Sequence, residues 1–373
     1  MKSAIQVEER TFTKRLDLSF AIVILGLNLI GLINLYSATH GVHDVGTNRL
    51  FINQIAWLLA GWGFFFVITL INYEIFGRLA YLLYGLNVAA LGAVMVVGRR
   101  ILGAQRWLDL GFFHYQPSET MKLTLILVLA KYLSHKDVRK GLGYKDLVIP
   151  GLIVGVPFAL VVKQPDLGTA MLLVFIAMSM IMFVRVKKSI LAACLAIGLV
   201  AAPMVWNFGL KPYQKNRILT FVYPGRDPRG AGYNSIQSKI AVGSGKILGK
   251  GFRKGTQSQL EFLPERHTDF IYSVLSEEHG FIGSMLTLGL FMVLLVMGIR
   301  IASQGRDKFG ALVVVGVLSY IFWHMFINIG MVIGILPIVG VPLPLLSYGG
   351  TGMLSTMVGL GLISSIAYRR YLF

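Results

Sequence analysis

The run QSQLEFLPERHTDFIYSVLSEEHGFIGSMLTLGLFMVLLVMGIRI (257–301) holds the transition that decides the fold. Its first part, Gln257 to Asp269, is the densest set of chemically capable side chains in the chain. From His279 to Ile301 the residues are mostly apolar, over the roughly 20 residues a helix needs to cross a bilayer. A polar segment therefore opens directly into a membrane span. Upstream it reaches back to Lys211: between Lys211 and His279 there are 11 Lys or Arg against 6 Asp or Glu, a surplus of five positive charges.

Working outward, about ten apolar runs near spanning length appear, at 17–37, 51–72, 78–98, 117–134, 147–164, 167–185, 189–210, 279–301, 309–334 and 347–368. The fourth is the weakest, because it contains Lys122 and Lys131. Composition agrees. Of 373 residues 55% are hydrophobic and 14% charged, with a mean hydropathy of +0.69, whereas soluble domains carry about 25% charged residues. The expectation is an all-α polytopic integral membrane protein, one membrane domain over 1–373, with a long extracytoplasmic loop at 211–278 between the seventh and eighth spans.

Orientation follows from the connections. Lys2, Arg10, Lys14 and Arg15 precede the first span, Lys136, Arg139, Lys140 and Lys145 follow the fourth, and Arg185, Lys187 and Lys188 follow the sixth. Arg300, Arg306 and Lys308 follow the eighth, and Arg369 and Arg370 close the chain. The positive-inside rule places these connections and both termini in the cytoplasm. The basic loop then lies outside, where surplus Lys and Arg are disfavoured, so an anionic ligand at the outer membrane face is expected. The 35 basic against 17 acidic residues give +18, but the basic residues sit in short loops between apolar runs, and no nucleic-acid partner is expected. A single cysteine, Cys194 in an apolar run, excludes an intramolecular disulfide. Met1 to Leu16 is polar and charged, and the first apolar run is long enough to stay as a span rather than leave as a signal peptide.

Two segments break the pattern. Ser235 to Leu248 carries Ile236, Ile240, Ala241, Ile247 and Leu248 at a spacing that suits a short amphipathic helix lying on the membrane or the bundle. Gly243, Gly245, Gly249, Gly251 and Gly255 then mark tightly turning backbone. GILPIVGVPLPLLSYGG (334–350), with three prolines and four glycines at apolar depth, suggests a re-entrant turn buried in protein or lining a cavity.

Three acids stand at outer ends of spans: Glu119 after Gln116-Pro117-Ser118, Asp166 after Gln164-Pro165, and Asp269 after His267-Thr268. Each can be read as a helix start, since a proline in the first turn and an acid near the positive dipole end both favour one. Lys122, one turn deeper than Glu119, needs a partner on the same face, and a Glu119–Lys122 pair inside the bundle is expected. Asp269, beside Arg266 and His267, is the candidate general base; a cap or an ion pair with Arg266 is the structural alternative. His267 has no second histidine at ligand spacing, so hydrogen bonding suits it better than metal ligation. Among Arg106, Lys211, Lys215, Arg217, Arg226, Arg229, Lys239, Lys250, Arg253 and Lys254, a minority would bind phosphate while the rest meet solvent or headgroups. No GxxxxGK[ST] run occurs, so a nucleotide-driven pump is not expected.

The blocks GAQRWLDLG (103–111), QPSE with Lys122, KQPDLGTA (163–170), GAGYNSIQSKIAVGSG (230–245), GTQSQLEFLPERHTDFIYSVLSEE (255–278) and NIGMVIGILPIVGVPLPLLSYGG (328–350) resemble the SEDS family, in its cell-elongation (RodA) branch rather than its division (FtsW) branch. The likeness runs from the first span to the last. It implies a ten-span inner-membrane glycosyltransferase that polymerises lipid II, a disaccharide-pentapeptide on undecaprenyl diphosphate, with inversion and release of undecaprenyl diphosphate. By motif, Asp269 would be the base for the acceptor's 4-hydroxyl. Arg106, Glu119, Lys122 and Asp166, with Arg217, Lys239, Gln257, Glu265 and His267, would organise the cavity or hold diphosphate. A divalent cation, Mg²⁺ or Mn²⁺, could take part, with Asp269, Glu119 and Asp166 as candidate ligands; no organic cofactor is implied. The implied partners are a class B penicillin-binding protein, a transpeptidase, and other elongation-complex proteins. Two positions depart from the family pattern: Lys246 where glycine is expected, and SYGGTGM in place of SYGGS.

Two rivals share these features. A lipid II flippase would need polar sites reachable from both sides, whereas the acids and the loop gather on one. A non-catalytic scaffold would tolerate loss of Asp269.

Overall fold

The computed structural model describes residues 17–370 apart from 40–47, 102–103, 110, 112, 137–140, 210, 224, 226–229 and 261. The charges ahead of the first span, Arg139, Lys140, Arg226 and Arg229 lie outside the described residues. Each apolar run coincides with a helix. In chain order these are α1 (Leu18–Thr39), α2 (Asn48–Leu70), α3 (Tyr73–Val97), α4 (Pro117–Ser134), α5 (Tyr144–Lys163), α6 (Leu167–Phe183) and α7 (Lys188–Met204). The long loop contributes α8 (Pro212–Val222), α9 (Ala231–Ser244) and the single turn α10 (Thr256–Gln259), and the chain ends with α11 (Ile271–Ser303), α12 (Lys308–Ile333) and α13 (Gly350–Arg369).

Seven of these, α1, α2, α3, α5, α11, α12 and α13, are long and apolar enough to cross a membrane, and α6 and α7 are shorter apolar helices. The protein is a multi-pass membrane protein. In lipid every backbone group must be satisfied within the segment, and helices do that. Outward leucines such as Leu59, Leu82 and Leu152 are exposed, as a lipid-facing surface requires. The centre is α4, which touches α3, α5, α6, α12 and α13 and buries almost every residue. Its charges, the reason its run looks weak, therefore face protein rather than lipid.

Strands were not anticipated. Residues 99–115 fold into a small antiparallel sheet of β1 (Arg99–Ile101), β2 (Ala104–Asp109) and β3 (His114–Tyr115). Gly111, at φ +86°, helps turn the chain between β2 and β3. The sheet carries Arg106 to the head of α6.

The helix expected at Ser235 to Leu248 forms with other bounds, and Ile247 and Leu248 lie beyond its end. The helix runs Ala231–Ser244, and it buries Ser235, Ser238 and Ala241 while Ile236 and Ile240 face outward. Ser238 decides the orientation: its hydroxyl meets the Val332 carbonyl at 2.7 Å and Ser273 Oγ at 2.9 Å. Beyond this helix, the glycine-rich turn enters a break in α11. At Gly280 (φ 64°, ψ −158°) α11 loses its helical path. The turn takes over the missing bonds, with Lys250 N and Gly251 N donating to Glu277 O and Glu278 O at 3.0 Å each. In return Phe281 N donates to Lys246 O at 2.9 Å and Ile282 N to Ile247 O at 3.2 Å. Lys246 itself sits at φ 51°, the left-handed region, which is the physical reason glycine suits that position.

Between α12 and α13, residues 334–349 form no helix and run as a largely shielded, irregular segment. Leu345 and Leu346 press their backbone on Gly31 of α1, where a Cβ would lie 2.7 Å from the Leu345 carbonyl oxygen.

Candidate active site

Asp269 sits in a tight turn just ahead of α11. Thr268 N and Phe270 N both donate to the Glu265 carbonyl, at 3.1 and 3.3 Å, and Glu265 closes the turn at φ 53°. Three successive carbonyls of the turn are held from outside it. His267 O accepts Tyr348 N at 3.0 Å, Thr268 O accepts Ser347 Oγ at 2.7 Å, and Asp269 O accepts Asn328 Nδ2 at 2.8 Å. The 334–349 segment is thus a template for the turn. Gly340, at φ +74°, lies against the carboxylate: a Cβ there would be 3.3 Å from Asp269 Oδ2.

Among the described residues no hydrogen-bond donor reaches the Asp269 carboxylate, which is only partly open to solvent. Burial pushes its pKa from an ordinary 3.8 to about 6. Glu265 pushes it further up, Arg217 pulls it down, Asp166 raises it and Arg106 lowers it. Those four side chains are its electrostatic neighbours.

Arg106 and Asp166 form one unit. Asp166 caps α6, accepting from Thr169 N at 3.2 Å and Thr169 Oγ1 at 2.9 Å. Arg106 Nε lies 3.8 Å from Asp166 Oδ2 and donates to the Gln164 carbonyl at 3.3 Å, while Nη2 donates to the Pro165 carbonyl. Nη1 has no hydrogen-bond partner among the described residues, so a guanidinium held rigidly by backbone keeps donors available. Arg217, on α8, anchors one donor on the Val339 carbonyl at 3.4 Å.

The Glu119–Lys122 pair forms inside the bundle, with Lys122 Nζ 2.8 Å from Glu119 Oε1. Glu119 Oε2 lies beside Gly352, where a Cβ would come within 3.3 Å. Gly352 of the SYGGTGM block therefore lies against the acidic set. Within it Thr351 Oγ1 donates to the His114 carbonyl at 3.2 Å, a contact a serine hydroxyl also offers. Lys122 has a second neighbour that sequence reasoning missed: His324 Nε2 at 2.9 Å. Asn328 and Ser347 were missed as well. The available signal was the cost of polar side chains at membrane depth, which makes a His and an Asn within one apolar run candidates by default.

Not every expected residue joins the Asp269 neighbourhood. Gln257 belongs to a second cluster, donating its backbone N–H to Glu277 Oε1 at 3.0 Å. Lys239 lays its alkyl chain on Gly334 of the 334–349 segment. His267 stands 4.0 Å from Glu265 and meets the Tyr348 ring edge-on at 6.1 Å. Arg266 turns its Nε to the Ala38 carbonyl at 2.8 Å. Among the described residues no three of His, Cys, Asp or Glu gather as metal ligands.

Comparison with known proteins gives this geometry its context. Residues 17–372 match the family model FTSW_RODA_SPOVE, described as cell cycle protein. The chain is 38% identical over 355 residues to peptidoglycan glycosyltransferase MrdB of Escherichia coli K12, covering 95% of this chain and 94% of that one. Peptidoglycan glycosyltransferase RodA of Treponema pallidum is 31% identical, with 95% and 98% covered. Among solved structures, a chain of a peptidoglycan synthase complex that coordinates polymerization and crosslinking superposes with a TM-score of 0.81 at 31% identity, covering 96% of this chain and 99% of that one. The rod shape determining protein RodA of Thermus thermophilus gives 0.70 at 27%, with 95% and 98% covered. With the helical bundle, the templated aspartate and the match along almost its whole length, the chain belongs to the FtsW/RodA/SpoVE family, the SEDS proteins.

Proposed function

We propose that the chain is a peptidoglycan glycosyltransferase that polymerises lipid II into glycan strands during cell elongation, with inversion and release of undecaprenyl diphosphate. The carrying observation is Asp269: a carboxylate raised to about 6, without a hydrogen-bond donor among the described residues, flanked by backbone-anchored Arg106 and Arg217. A base whose pKa lies near the working pH takes a proton most effectively. Asp269 accepts the proton of the acceptor's 4-hydroxyl as its oxygen attacks the anomeric carbon of the donor sugar. The bond to the diphosphate breaks on the opposite face, and the arginines stabilise the charge that leaves. Among the described residues no three candidate ligands gather, and no step is assigned to a divalent cation.

The same reading places ten crossings in the cytoplasmic membrane, including α4, α6 and α7, with both termini cytoplasmic and the Asp269 turn outside. It gives the chain a class B penicillin-binding protein as partner, supported by its likeness to a subunit of a peptidoglycan synthase complex, and other elongation-complex proteins beside it.

The test is glycan polymerisation from labelled lipid II by the purified protein with its transpeptidase, whose own active site is blocked. Polymer from wild type and none from Asp269→Ala supports the reading. No polymer from a folded wild-type complex overturns it and favours a flippase or a scaffold.

A further inference from the structure

We propose that His324 is a positioning residue: through its Nδ1–H it fixes the Pro342 carbonyl, and with it the template on which the Asp269 turn is built. The inference concerns the site proposed above, and its activity arm rests on that reading. Lys122 is wholly buried and can only donate, so its ammonium, 2.9 Å from His324 Nε2, makes Nε2 the acceptor. That settles the tautomer. Nδ1 carries the hydrogen and donates to the Pro342 carbonyl at 3.1 Å.

Pro342 stands where the template is stitched from both sides. Its neighbour Val341 accepts Asn328 Nδ2 at 2.7 Å, and the same amide nitrogen reaches the Asp269 carbonyl at 2.8 Å. Its other neighbour, Leu343, donates its N–H to Ser347 Oγ at 2.8 Å, and that hydroxyl donates to the Thr268 carbonyl at 2.7 Å. His324 and Asn328 lie one turn apart on α12, so one rigid helix face grips two successive template carbonyls. The Glu119–Lys122 pair, which spacing alone leaves without a stated role, holds the imidazole in the tautomer this grip requires. A segment with three prolines cannot hold itself by a regular ladder, because proline supplies no N–H. Fixing it from α12 compensates.

Two substitutions separate the two ring nitrogens. In His324→Asn the amide nitrogen stands where Nδ1 stood and still donates to Pro342, while contact with Lys122 is lost. In His324→Gln the terminal amide stands near Nε2, keeping an acceptor for Lys122 and leaving Pro342 without its donor. His324→Leu removes both. Hydrogen exchange in the purified full-length protein, read at the amides of Thr268, Phe270 and Tyr348, is expected to quicken about tenfold or more in the Gln and Leu variants and to stay near wild type in Asn. In lipid II polymerisation Gln and Leu are expected to lower kcat about tenfold or more with little change in KM, since misplacing a reacting group by about 1 Å costs up to about a hundredfold. Asn is expected to recover most of what Leu loses. Any pattern in which Asn does not outperform Gln overturns the inference, and so does unchanged exchange in Gln and Leu. If the wild type makes no polymer, the proposed function falls, while the exchange comparison still decides the role of His324.

Discussion

Two acids eight positions apart, Asp269 and Glu277, stand near the two ends of the N-terminal part of α11, ahead of its break, and their surroundings are opposite. Glu277 is fully buried and saturated: Lys250 Nζ at 2.7 Å, Thr256 Oγ1 at 3.2 Å, Gln257 N at 3.0 Å and Ser258 N at 3.4 Å all point at its carboxylate. It caps α10 and pins the glycine-rich turn to the break in its own helix. Asp269 has its turn held by three residues, Asn328 of α12 and Ser347 and Tyr348 of the 334–349 segment, and its carboxylate left without a donor among the described residues. A carboxylate that serves structure has its oxygens filled; one that serves chemistry is desolvated and left short of partners, at a cost in stability.

The largest effect is expected from Asp269→Asn. Losing a general base is expected to cost about 10²–10⁴-fold in kcat. The same change should not destabilise the fold. Because its folded pKa is raised, the contribution of Asp269 to stability is complete below about pH 4 and is lost as pH rises through about 6. The gap between 3.8 and about 6 is worth at most about 3 kcal/mol, and solvent access to the carboxylate reduces it. Thermal unfolding in detergent at pH 5 and pH 8 checks this: the mutant should gain on the wild type at pH 8. A mutant that unfolds earlier would mean that Asp269 is structural.

Glu277→Ala is expected to do the reverse. It leaves Lys250 and two amide groups without their acceptor and should cost about 2–4 kcal/mol, seen as a lower unfolding temperature. If its stability matched the wild type, the saturated carboxylate would not be a structural anchor. Gly280→Ala should lose a similar amount, because a Cβ would lie 2.3 Å from Gly249 N at a φ of 64°.

A milder probe is pH. Asp269 must be ionised to accept a proton, so log kcat/KM, which reports the free enzyme, is expected to fall by about one per pH unit below about 6 and to level off above it. A plateau extending to pH 4 would show that the carboxylate is not held up by burial. The smallest effect is expected at Lys246→Gly. A left-handed lysine costs about 1–2 kcal/mol and glycine loses part of that gain as chain entropy, so the variant should be about 0.5–1 kcal/mol more stable with activity retained.

Much of this molecule is legible in its residues taken in order. Apolar runs marked every long helix, because a helix in lipid satisfies its own backbone and needs only enough apolar length. Pro117 and Asp166 announced helix starts, since caps and dipoles act within one turn. The pairing of Lys122 with Glu119 followed from i,i+3 spacing and the cost of a lone charge at depth. Membership of the SEDS family was readable from blocks such as GTQSQLEFLPERHTDF (255–270).

How distant pieces meet is set by the folded chain alone. The outward turn of Ile236 and Ile240 depends on Ser238 finding the Val332 carbonyl, 94 positions away. The glycine spacing of 243–251 acquires its meaning from a helix break at Gly280 that no local propensity encodes. The small sheet that delivers Arg106 to Asp166 joins residues 60 positions apart. Asp269 is a short polar side chain in a loop until Asn328, Ser347 and Tyr348 take hold of its turn. Hydropathy and capping act between near neighbours and survive in the order of residues. Hydrogen bonds to backbone carbonyls carry no residue type at the accepting end, so they leave no mark in the sequence until the chain has folded.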